Sequence, residues 1–187
     1  MKKVSDIHAI KIIFFITACY VGLWAIRIPT IKDQLQTDYV GVGYIMLSFA
    51  IGSIVAMIFA NALILKTSTK SILTCTLIAE GCLWLPVPFI QELWLFMVFS
   101  FVFGMSYGAF EIACNVYASN LEVREKKSMM SGFHAFWSLG VLFGSLITSF
   151  LLEWNYSFIF NILLYVIILL PLSLYFCLLY TSPSPRD

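Results

Sequence analysis

The chain has 187 residues, 61% of them hydrophobic and only 11% charged, with a mean hydropathy of +0.94. Soluble domains carry roughly 25% charged residues, and one globular core of this length cannot hide such an apolar excess, so a soluble enzyme is excluded. A formal charge of +1 without a long basic block excludes a polyanion such as nucleic acid as partner.

A helix that crosses a bilayer needs about 20 predominantly apolar residues. Six such runs are predicted, at 10–28, 41–65, 71–90, 94–119, 130–152 and 156–179, giving an all-α, six-span membrane protein. The first run is too long, and lacks the small-residue cleavage site, for a removable signal peptide. It is expected to end at Pro29 and places Thr17, Tyr20, Trp24 and Arg27 on one helical face. Rings beside donors suit a sugar-like ligand; the same mixture also forms an interfacial belt, with Arg27 reaching outward.

The second span ends near Asn61 and is followed by a loop bearing Lys66 and Lys70. Glu80 falls near the middle of the third span, with no basic residue close in sequence to pair with it. In the fourth span Gly104, Gly108, Glu111 and Asn115 follow one another by four, three and four residues and share a stripe. The two glycines form a GxxxG, a common packing pattern. An acid at mid-membrane costs at least about 2.5 kcal/mol and marks function more often than packing, so Glu111 is the leading candidate.

The fifth span presents His134, Ser138 and Ser145 on one face. If spans four and five form a hairpin about Arg124 and Glu125, Asn115 lies level with His134 and Glu111 with Ser138. An imidazole beside a carboxylate would make a proton relay; a structural histidine at the interface is the alternative. Asn161, early in the sixth span, reads like Asn61 as an inter-helix hydrogen-bonding residue. The five cysteines (Cys19, Cys75, Cys82, Cys114, Cys177) show no metal-site spacing and read as small apolar residues. No cofactor or metal is expected.

Residues 177–187 shift abruptly to a turn-rich polar end and resemble a translated sequencing-library adapter. They are expected to be a non-native tail on a transporter bundle spanning 1–176 and cut within its sixth span. Lys2, Lys3, Lys66, Lys70, Arg124, Lys126 and Lys127 fall on one side of the predicted topology and Lys32 on the other, so both termini are expected to be cytoplasmic. Trp94 and Trp154 then mark the outer interface.

Gly22-Leu-Trp-Ala-Ile-Arg27-Ile-Pro29, Gly108-Ala-Phe-Glu111-Ile-Ala-Cys-Asn115-Val-Tyr117 and Ser131-Gly-Phe-His134-Ala-Phe-Trp-Ser138-Leu-Gly140 resemble the N-terminal half of a major facilitator superfamily transporter, in the fucose-permease-like sugar:proton symporter branch. The resemblance covers roughly residues 8–176. It implies two inverted three-helix repeats, a location in the cell (inner) membrane, and a missing C-terminal six-helix half. It further implies a sugar-like substrate moved with protons by alternating access. Proton coupling would fall on Glu111 and His134, and substrate contact on Asn115, Trp24, Tyr20, Arg27 and Ser138.

Two departures stand out. The first span lacks the acid that fucose permease carries there, and the loop between spans two and three keeps Lys66 and Lys70 but lacks the superfamily's aspartate. A serine hydrolase built on Ser131 or Ser138 with His134 lacks the GxSxG setting its nucleophile needs. A six-helix channel or scaffold stays open as the alternative.

Overall fold

The computed structural model describes residues 2–179, with side chains described outside 2–5, 60–63, 65 and 179. Residues 180–187, most of the expected non-native tail, lie outside the described residues, as does the side chain of Asn61. Six helices form: α1 (Lys2–Gln34), α2 (Tyr39–Lys66), α3 (Thr69–Trp84), α4 (Leu93–Glu125), α5 (Met130–Glu153) and α6 (Phe158–Leu179), with a short 3-10 turn at Val87–Phe89. All six spans are thus present: four helices cover their predicted runs, the third stops short before Pro86, and the sixth begins two residues late at Phe158. The chain is a multi-pass membrane protein.

The first span runs past its expected end. Pro29 lies inside α1, which continues to Gln34. A proline removes a single backbone donor, and tertiary contact supports the extra turn here. Ile31 and Leu35 are buried, and the Gln34 side-chain amide donates to the carbonyls of Val87 (2.9 Å) and Ile90 (2.6 Å). The third span behaves in the opposite way, its α-helix closing at Trp84 just before Pro86 and Pro88.

The main contacts run α5–α1–α6–α3–α4–α2, with α1 only lightly touching α2 and α4. Exchanging α1–α3 with α4–α6 maps this pattern onto itself: α1/α5 becomes α4/α2, and α1/α6 becomes α4/α3. Two glycine seams hold the closest pairs. A Cβ at Gly104 or Gly108 would strike the backbone of Phe49 or Ser53 on α2, and one at Gly140 or Gly144 would strike that of Phe15 or Cys19 on α1. Such close approach is how helices adhere where lipid is the solvent.

Two apolar cores stack along the bundle. The core at the end bearing the N-terminus joins Ile10, Phe14, Leu73, Phe110, Leu121 and Phe133. The other joins Tyr20, Leu23, Trp84, Phe96, Ile162 and Tyr165. At the N-terminal end Arg124 donates to Asp6 at 2.8 Å, tying α4 to α1. The Glu122 carboxylate accepts the first backbone donors of α5, from Met129 and from Met130 (2.7 Å), an anionic cap at a helix N-terminus. The far faces of α2 (Leu47, Ile54, Ile58) and α5 (Leu142, Leu146, Phe150) remain exposed and apolar, as do Trp94 and Trp154.

Candidate functional site

The second core encloses a cavity of about 370 Å³ between α1, α2, α3 and α4, within the roughly 300–1,000 Å³ typical of small-molecule sites. Helical spacing builds its walls: Tyr20 and Trp24 are one turn apart on α1, and Glu80 and Trp84 one turn apart on α3. Phe96, Phe99, Phe103 and Tyr107 descend α4, opposite Met46 and Phe49 of α2. The rings form a continuous lining. Trp84 stacks on Tyr20 with centroids 6.1 Å apart and meets Phe103 edge-on at 5.5 Å, while Phe49 leans on Tyr107 at 5.5 Å. Edge-to-face and offset contacts of this kind rigidify an aromatic wall.

Glu80 brings the only carboxyl to this lining, which contains no lysine, arginine or histidine. The residue is 5% exposed, and its side chain makes no hydrogen bond or ion pair to any described residue. The sequence flagged this acid without finding its partner; the structure shows that its surroundings are rings. The signal that could have ranked it higher is its Trp84 neighbour at i+4, echoing the Tyr20/Trp24 pair.

The other sequence candidates separate. Tyr20 and Trp24 line the cavity. Arg27 does not line it: its Nε donates to Asn161 Oδ1 at 3.0 Å, its guanidinium donates to the Tyr156 carbonyl at 3.2 Å, and its head lies 5.4 Å from the Phe158 ring centre. Arg27 therefore joins α1 to α6. Asn161 acts as the inter-helix residue anticipated for it, and Thr17 turns back to its own helix by donating to the Ile13 carbonyl at 2.9 Å.

The expected polar cluster between α4 and α5 is not formed. The two helices are consecutive but scarcely touch, because each pairs through its glycine seam with a different neighbour, α4 with α2 and α5 with α1. His134 is exposed and meets Phe14 of α1 edge-on at 5.7 Å; Ser138 donates to the His134 carbonyl at 3.1 Å; Asn115 donates to the Glu111 carbonyl at 2.9 Å. Glu111 is half-buried one turn beyond Tyr107. Among the described residues no cluster of histidine, cysteine or acidic side chains could hold a metal ion.

The Major Facilitator Superfamily model matches residues 12–187. The chain belongs to the major facilitator superfamily. Its six helices match half of that fold. It is 28% identical over 145 residues to an uncharacterized MFS-type transporter of Yersinia pestis, covering 76% of this chain and 37% of that protein. It is 25% identical over 141 residues to an uncharacterized transporter of Sinorhizobium fredii, covering 71% of this chain and 35% of that protein. The matched region therefore spans little more than a third of either relative. No solved structure matches the chain.

Proposed function

We propose that the chain is the N-terminal half of a proton-driven secondary transporter for a small, sugar-like polar solute, with the α1–α4 cavity as this half's share of the binding site. The observation that carries the reading is the buried, unpartnered Glu80 on the wall of an aromatic cavity. A carboxyl left without a protein partner in such a place is costly to the fold and is explained by a ligand that completes it. Tyr20, Trp24 and Trp84 offer ring faces on which the apolar face of a sugar stacks, and Glu80 offers oxygens to a hydroxyl.

A second six-helix bundle supplies the opposite wall, and the two rock about the site. The apolar outer faces of α2 and α5 are available to that bundle. The distribution of lysine and arginine favours cytoplasmic termini and insertion in the inner membrane. Glu111 is the proton-carrying acid in this scheme. Its place one turn beyond Tyr107, a residue of the cavity lining, sets it close to the solute site. A six-helix channel is disfavoured because it gives the buried, unpartnered Glu80 in an aromatic cavity no role.

The test is uptake in liposomes by the full-length transporter, both bundles present, under an imposed pH gradient. Glu111→Gln should abolish accumulation while leaving solute exchange largely intact, because the amide keeps size and hydrogen bonding but cannot titrate. Accumulation equal to the parent's would refute the coupling assignment. Uptake by the 187-residue chain alone above empty liposomes would refute its reading as a half.

A further inference from the structure

We propose that the α3 wall of the cavity is a subsite for an organic ammonium group, so that the transported solute carries a positively charged, alkylated nitrogen on a ring-like or aliphatic body. The inference rests on the reading of the cavity as the solute site and replaces its sugar-like solute with a cationic one. Three observations meet here. Glu80 is buried in the cavity wall with no hydrogen bond or ion pair to any described residue, and the lining holds no cationic side chain. The nearby buried cation on α1, Arg27, is committed to Asn161 and the Tyr156 carbonyl on α6. The remaining wall is aromatic, with Tyr20, Trp24, Trp84, Phe103 and Tyr107 presenting ring surface around the acid.

An aromatic face carries negative quadrupole density and attracts a cation placed over it, most of all an alkylated ammonium, whose weak hydration makes it cheap to strip of water. A carboxylate within the same cage supplies the countercharge. A neutral polyol would find rings to stack on and polar tips such as the unpartnered Trp84 Nε1 for its hydroxyls, but it would leave the carboxylate in this dry wall without a countercharge. The protein's own cations are absent from the lining or already engaged. The ligand therefore has to bring the charge, and its selectivity follows from that requirement.

Choline and its carbon isostere 3,3-dimethyl-1-butanol isolate the charge, since they share shape and hydroxyl and differ only in nitrogen for carbon. Equilibrium binding to the purified 187-residue chain in detergent, read by displacement of labelled choline, should show choline bound at least about tenfold more tightly than the alcohol. Glu80→Gln should weaken choline by about tenfold or more and leave the alcohol unchanged, whereas Glu80→Asp should keep the preference. Equal binding of the two probes, no detectable binding of choline, or a Glu80→Gln variant that binds choline like the parent would each overturn the proposal. If Glu80→Gln does not fold, the two-probe comparison on the unmodified chain decides alone. Glu80-dependent choline binding by the chain, with no uptake of any solute by the full-length protein, would uphold the subsite and refute the transport reading.

Discussion

Two buried charges, Arg27 and Glu80, lie in neighbouring parts of the same core and are treated in opposite ways. Arg27 is 2% exposed and has an amide oxygen, a backbone carbonyl and an aromatic ring arranged around its guanidinium. Glu80 is 5% exposed, and the groups that line the cavity beside it are mainly hydrocarbon rings. A charge with its partners built in belongs to the architecture; one without them is maintained at the expense of stability. The contrast separates structural from functional polarity more sharply than burial does, since both residues are almost equally hidden.

The largest expected effect breaks the paired side. Arg27→Met should lower stability by about 3 kcal/mol, because it strands the Asn161 oxygen and the Tyr156 carbonyl between α1 and α6 after their donor is gone. Thermal unfolding in detergent, followed by tryptophan fluorescence, measures this. A midpoint within a degree of the parent's would mean that the guanidinium does not hold the helices together. The unpaired side should respond with the opposite sign. Glu80→Met, which fills similar volume with apolar atoms, should raise stability by about 1–2 kcal/mol as the stranded carboxyl is removed. It should also abolish solute binding. Destabilisation by Glu80→Met would reveal a structural partner and dissolve the contrast.

A half-paired case lies between them. Arg124 bridges to Asp6 at the N-terminal end of the bundle, but its side chain is 35% exposed. Arg124→Gln should therefore cost only about 1 kcal/mol, most of it from leaving the buried Asp6 carboxylate without its partner. Added salt should narrow the difference from the parent. A loss as large as that of Arg27→Met would show that the α1–α4 tie matters more to the bundle than its exposure implies.

The sequence made the architecture legible because lipid leaves few choices: long apolar runs, polar breaks and glycine spacing are sufficient to mark six helices. The pairing of Tyr20 and Trp24 on one face of a span was legible for the same reason, and both line the cavity. Helix partnering was not legible. Consecutive spans invite a hairpin reading, yet the glycines at Gly104 and Gly140 direct α4 and α5 to different neighbours. The hairpin reading brings Glu111 and His134 into one cluster, which the structure does not form. Arg27 was misjudged because the residue that claims it, Asn161, is 134 positions away, and no local pattern records such a pairing.

His134 gives the smallest expected effect and tests the same distinction on the exposed surface. It sits on the outward side of α5, where the Phe14 edge is its aromatic contact, and α5 and α4 scarcely touch. A relay between His134 and Glu111 needs the two groups within hydrogen-bonding reach, directly or through one water. The glycine seam that binds α5 to α1 holds the helix away from that arrangement. His134→Asn keeps a polar side chain of similar reach but removes the imidazole, so proton-driven uptake by the full-length transporter should change by less than about twofold. If uptake instead falls as far as in Glu111→Gln, the two residues act together in some other state of the transport cycle. Alternating access would then have to bring α4 and α5 into a contact that this structure lacks.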